Sequence, residues 1–221
     1  MSEQTQARIR AAVVALAPVV FLIGILTLPY LSDRTDTAAT AGKVAEDGMR
    51  SAWGIILLVA SIVLTLLAVF SLRRHIEAAG ERTWSFVAVP LIVAGGVGLA
   101  FMVGAYLAAV PLAAGGGDVV AYFEDAKAWI MPINVVAAIL FGLGWLSLAA
   151  AVLRGRVLAP ERGRVVALAL VVLAVAQFLP WGWGLYLSGG GLLVGFWPLA
   201  YELWAQTGSQ PMMQAQRPSP A

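Results

Sequence analysis

The chain contains no cysteine. Disulfides, thiolate metal sites, thiol catalysis and Cys-ligated iron–sulfur clusters are thereby excluded. It contains a single histidine, His75, so a bis-imidazole haem or a His-rich zinc or di-iron centre cannot be assembled within one chain. Charge is scarce too. Asp, Glu, Lys and Arg make up 12% of the 221 residues while 61% are apolar, against about 25% and about 45–50% in soluble domains. A soluble fold could not hide that much apolar surface. The Lys and Arg residues are dispersed and the net charge is only +2, so the concentrated basic surface that nucleic acid requires is missing. No nucleic-acid partner, no cofactor and no metal is expected.

What the sequence has instead is long apolar runs. About 20 apolar residues cross the roughly 30 Å hydrocarbon core of a bilayer. Five runs reach that length, Ala11–Leu31, Trp53–Leu72, Trp84–Leu107, Trp129–Leu153 and Val165–Leu187. A sixth, Ser188–Trp204, is shorter, and Gly189–Gly191 at its start predict a tight hairpin from the fifth, leading into either a full span or a re-entrant segment. The first run exceeds the 7–15 residue core of a signal peptide and lacks a small-x-small cleavage site after it, so its retention is expected. The expected fold is all-α: a polytopic transmembrane helical bundle of about six spans over residues 1–206. A disordered cytoplasmic tail is expected over 207–221, where Gln and Pro dominate.

Orientation follows from the bias of Lys and Arg toward cytoplasmic loops. With the N-terminus inside, Arg8, Arg10, Arg73, Arg74, Arg82, Arg154, Arg156, Arg162, Arg164 and Arg217 fall on the inner side. Only Arg34, Lys43, Arg50 and Lys127 fall outside. Both termini are then cytoplasmic. The outer loops predict a short surface helix over Thr37–Arg50 and an interfacial helix capped by Asp118 before the fourth run.

An ionisable group at membrane depth is a functional hypothesis by default, and the runs hold one, Glu202. It is the weak catalytic candidate, as a proton donor or polar anchor; the plainer reading is a carboxylate at the inner headgroups. Asn134, Gln177, Ser61 and Thr65 are the remaining polar groups, and such residues join helices or satisfy carbonyls freed by proline more often than they bind a substrate. Asn134 and Gln177 are nevertheless weak ligand-binding candidates, with Trp145, Trp197 and Tyr201. Trp145 is expected to pack between helices. Gly95, Gly96, Gly98 and Gly104 in the third run predict close helix approach. The outer acids, Asp118, Glu124 and Asp125 among them, read as a solvated face without the spacing of a cation loop.

Phe141-Gly-Leu-Gly-Trp145, followed by Leu153-Arg-Gly-Arg-Val-Leu-Ala-Pro160, and Pro198-Leu-Ala-Tyr-Glu-Leu-Trp204 resemble the closing spans of an uncharacterised bacterial membrane family, the domain of unknown function 4386 family. The order of spans and the long outer loop before the second agree, although the charged pair expected in the family's third span is missing from Pro90–Leu107. The resemblance implies a fold and a compartment, and no activity.

Two functions compete. One is a non-enzymatic bundle, surrounded by membrane lipids, that binds or passes a lipid or lipophilic small molecule or supports a partner membrane protein. The alternative is a membrane-embedded acid-type enzyme acting on an isoprenoid or lipid substrate, with Glu202 as donor and tryptophans stabilising cationic intermediates. A cavity at Glu202 lined by Trp197, Tyr201 or Trp145 would separate them. Heavy use of Ala, Gly, Val and Arg points to a GC-rich bacterium, hence to a multi-pass protein of a bacterial plasma membrane.

Overall fold

The computed structural model describes residues 3–28, 37–179 and 181–215, all of whose regular elements are helices. They are α1 (Glu3–Thr27), α2 (Thr37–Glu46), α3 (Gly48–Ala78), α4 (Thr83–Ala114), α5 (Val119–Gly155), α6 (Pro160–Ala176) and α7 (Trp181–Ala215). Among the described residues four helices, α1, α3, α4 and α5, are long and apolar enough to cross a membrane. Their outward faces agree with a lipid environment. On α3, Ile56, Val63, Leu67 and Phe70 are exposed while Ile55, Leu58, Ser61, Thr65, Leu72 and Ile76 are buried, so both faces of the helix are largely apolar. A helix that is apolar all round has no water-facing side.

The six long helices close into a ring. Each packs on its neighbours in chain order, α1 on α3, α3 on α4, α4 on α5, α5 on α6 and α6 on α7, and α7 returns to α1. Glycines set the closest approaches. A Cβ on Gly95 of α4 would lie 2.5 Å from the backbone nitrogen of Phe141 on α5, and one on Gly98 would lie 2.6 Å from the Cβ of Ala137. The small residues of the third apolar run thus bring α4 onto α5, as their abundance predicts.

One end of the ring is arginine-rich. It carries the α3–α4 and α5–α6 turns, and the Arg154 guanidinium stacks 5.1 Å over the Trp84 ring across them. The start of α1 and the far part of α7 meet at the same end, with Arg8 5.8 Å from the Trp204 ring centre. Here Glu81 caps α4, its carboxylate accepting from the backbone N–H groups of Trp84 (3.0 Å) and Ser85 (3.1 Å). The opposite end is closed by α2, which lies against α3, α4 and α5 with Ala41 and Val44 buried. The beginning of α5 is there as well. Asp118 caps it by accepting from Ala121 N–H (2.9 Å), and the expected interfacial helix is continuous with the fourth run.

Two expectations change around α6 and α7. The hairpin does not fall at Gly189–Gly191: α6 stops at Ala176, the turn follows at once, and α7 runs unbroken through the three glycines. In an apolar setting a helix keeps every backbone group bonded, so glycines are retained within it and used for packing. A Cβ on Gly189 would come within 2.5 Å of Leu22 on α1, and one on Gly191 within 3.0 Å of the Ala169 carbonyl on α6. The glycine that admits the tight turn is Gly184, whose Cβ would stand 2.6 Å from the Ala176 carbonyl. The fifth apolar run, Val165–Leu187, is therefore divided between two helices. The helical backbone of α7 continues to Ala215, through most of the segment expected to be disordered; residues 216–221 lie outside the described residues.

Candidate ligand cavity

The interior packs as two apolar cores. Toward the arginine-rich end, Trp145 is completely buried and stacks edge-on against Phe141 (centroids 5.3 Å apart) and obliquely against Phe196 (5.8 Å), with Leu148, Leu170 and Leu199 around them. Toward α2, Ile25, Leu28, Val44, Met102 and Phe123 form the second core. Between the cores lies a cavity of about 100 Å³ to which all six long helices contribute. Phe21 comes from α1, Leu58, Ser61, Ile62 and Thr65 from α3, and Leu99, Met102 and Val103 from α4. Asn134, Ala138 and Phe141 come from α5, Leu173, Ala176, Gln177 and Leu179 from α6 and its turn, and Gly184, Leu185, Ser188 and Leu192 from α7.

Its depth follows from helix register. Ser61 and Leu99 stand near the middles of α3 and α4, so at about 1.5 Å of rise per residue each is roughly 20 Å or more from both ends of its helix. The void exists because residues turned inward at this level are small or short: Ser61, Ala138, Ala176, Gly184 and Ser188. Among them stand bulky groups, Phe21, Leu99, Met102, Phe141 and Leu192, which wall the space without filling it.

Five polar side chains line the cavity, and they differ in how their hydrogen bonds are used. Ser61 Oγ donates to the Leu58 carbonyl (2.6 Å). Gln177 Nε2 donates to the Leu173 carbonyl (3.0 Å) and to Ser188 Oγ (3.3 Å), tying the end of α6 to α7. This is the helix-joining part expected for Gln177. Thr65 is 4% exposed and its hydroxyl has no partner among the described residues, and the Asn134 carboxamide has none either. Asn134 thus neither bridges helices nor satisfies a carbonyl freed by Pro132; it is presented to the cavity. No Asp, Glu, Lys, Arg or His is in the lining.

No family model, curated protein or solved structure matches the chain. The resemblance drawn from Phe141–Pro160 and Pro198–Trp204 has no match to support it, and the site rests on geometry alone.

The other sequence candidates lie elsewhere. Glu202 is half-buried toward the arginine-rich end of α7, within Coulombic reach of the His75 imidazole and away from the cavity lining. Tyr201 is 66% exposed. Trp197, also exposed, donates its indole N–H to the Ala15 carbonyl on α1 (3.3 Å). Trp145 lies in the core below the cavity, where its indole nitrogen has no acceptor. Of the five ligand candidates, Asn134 and Gln177 are brought together and the three aromatics are not. Ser188 was missed because its place beside Gln177 depends on a turn that begins at Gln177. Among the described residues no three His, Asp or Glu side chains gather as a metal group; at the acidic end Glu124 pairs with Lys127 (3.1 Å).

Proposed function

We propose that this is a six-span membrane protein of the bacterial plasma membrane, both termini cytoplasmic, whose central cavity binds a lipophilic small molecule. The observation that carries the binding reading is the cavity at mid-helix depth, built by all six long helices and carrying hydrogen-bonding groups that the protein itself leaves unused. Polar groups in such a space take either water or a ligand, and a void of comparable size with apolar walls, about 150 Å³ in an engineered case, takes up a small hydrophobic ligand. The positive bias at the arginine-rich end supports the orientation. The turn between α6 and α7 sends the chain back toward that end, which accords with a C-terminus on the same side as the N-terminus.

The reading favours binding over conduction, because the cavity is closed below by Trp145, Phe141 and Phe196 and above by the core beneath α2. The acid-type enzyme draws no support from the same geometry, since a proton donor must reach its substrate within hydrogen-bond distance and Glu202 lies outside the lining.

The test is mass spectrometry of small molecules retained by the protein purified in mild detergent, wild type against Ala138→Trp, which fills the void. Retention of one defined lipophilic compound by wild type and its loss from an equally monodisperse Ala138→Trp protein is the expected result. Identical bulk lipid in both overturns the reading.

A further inference from the structure

The cavity's chemistry narrows its occupant. Every hydroxyl-bearing side chain at Thr27, Ser71 and Ser147 donates back to its own helix, at 2.7, 2.9 and 2.8 Å. That is the normal resort of Ser and Thr in an apolar setting, where an unmade hydrogen bond is costly. Thr65 departs from it, as does the fully buried Ser51 outside the cavity: although 4% exposed, the Thr65 hydroxyl has no hydrogen-bond partner among the described residues, and of the two it is Thr65 that lines the cavity. The Asn134 carboxamide, two helices further round the ring, is equally unspent and faces the same space. Ser188 Oγ accepts from Gln177 and keeps its own proton. Donor and acceptor capacity therefore converges on a space whose remaining walls are Phe21, Leu58, Leu99 and other apolar groups.

Charge is the second constraint. An ion taken into this layer would meet no countercharge in the lining, and an unpaired buried charge is far more costly than an unpaired dipole. Access is the third. Gly142 of α5 is level with Ala174 and Phe178, so Asn134, two turns earlier on α5 and further from the arginine-rich end, stands beyond the end of α6. There the cavity wall is the turn at Gln177–Leu179 and the first turns of α7, and Leu179 is exposed on its outer side.

Resting on the cavity as the binding site, we propose that its ligand is a neutral lipophile carrying a hydroxyl or carbonyl group. The polar group is held by Thr65 and Asn134, and the molecule enters from the hydrocarbon phase beside the α6–α7 turn. Phospholipid headgroups and fatty-acid anions are excluded from the layer by their charge; short alkanes fit but leave both polar side chains unsatisfied.

The full chain, reconstituted in phosphatidylcholine nanodiscs, is photolabelled with pentanol bearing a diazirine, and pentanol, pentane and pentanoate, small enough for the cavity, are compared as competitors at alkaline pH. Label is expected on peptides containing Thr65, Asn134 or Ser188. Pentanol should compete about threefold to tenfold better than pentane, the worth of a neutral hydrogen bond, and pentanoate should not compete. Thr65→Val with Asn134→Leu should bring pentanol down to pentane while leaving pentane unchanged; if that variant does not assemble, Thr65→Val alone carries the comparison. Equal competition by pentanol and pentane in wild type overturns the polar-group assignment and leaves the cavity as a binding site. Labelling that is unsaturable or falls outside the lining overturns both.

Discussion

Replacing Gly95 by alanine adds one methyl group at the closest approach of two helices. The new Cβ would stand 2.5 Å from the Phe141 backbone nitrogen, 2.6 Å from its Cβ and 2.7 Å from its Cα, where ordinary contact begins near 3.4 Å. Backbone cannot rotate away as a flexible side chain can, so α4 and α5 must separate locally by roughly 1 Å, a gap that forfeits a quarter to a half of the dispersion well of each affected atom pair. Overpacking of this kind costs about 1–3 kcal/mol. Gly104 on the same helix is the control, because a Cβ there meets nothing within 4 Å and removal of a helix glycine is itself worth up to about 1 kcal/mol. Equilibrium unfolding by sodium dodecyl sulfate titration in mixed micelles should therefore separate the variants in sign: Gly95→Ala less stable than wild type, Gly104→Ala equal or more stable. Gly95→Ala as stable as Gly104→Ala would refute the packing of α4 on α5 in this register.

Three further outcomes are expected. Glu81→Ala removes the acceptor of two N–H groups at the start of α4 and should cost about 0.5–2 kcal/mol in the same titration, with Glu81→Gln recovering part of it. Tyr122→Phe deletes the 2.9 Å hydrogen bond from the phenol to the Ala105 carbonyl and should cost about 0.5–1.5 kcal/mol, read as a lower unfolding midpoint with unchanged helicity by circular dichroism. Because the chain has no cysteine, Ala121→Cys and Ala159→Cys, both at exposed positions, place single thiols at opposite ends of the ring; a membrane-impermeant maleimide applied to intact cells should label the first and not the second, and the reverse would overturn the orientation.

The architecture was legible to the extent that local signals govern it. Apolar runs of spanning length, the Asp118 cap and the glycines of α4 each act within one helix or one pair, and the sequence displays them directly. What it does not display is which residues share a level of the ring. Asn134 and Gln177 read alike as polar side chains near a proline, yet one is spent on joining α6 to α7 and the other is open to the cavity. The difference depends on helix rotation and on neighbours far apart in the chain. Glu202 drew attention by its charge, but its nearness to Trp204 already pointed to the inner headgroups, and the structure places it toward the arginine-rich end, where Trp204 meets Arg8. The triplet misled for a physical reason. Glycine signals a turn where water can solvate the freed backbone, but within an apolar layer it signals close helix contact instead.

The shape of the ring also decides how a ligand exchanges. A route along the axis would have to displace Trp145, Phe141 and Phe196, side chains whose buried packing is worth about 3–5 kcal/mol each by truncation, and on the other side the core under α2. A route through the wall at α6 asks for much less. With 17 residues α6 is about 25 Å long, against about 55 Å for α5 with 37, at 1.5 Å per residue. Beyond Ala176, among the described residues, the turn is tied to α7 by one neutral side-chain hydrogen bond, from Gln177 to Ser188, worth about 1 kcal/mol. Breaking it would loosen the turn at the level of Asn134 while both cores stay intact. The weakest part of the wall is therefore next to the unspent polar groups and on the lipid-facing side, which is the arrangement that a site loaded from the membrane requires.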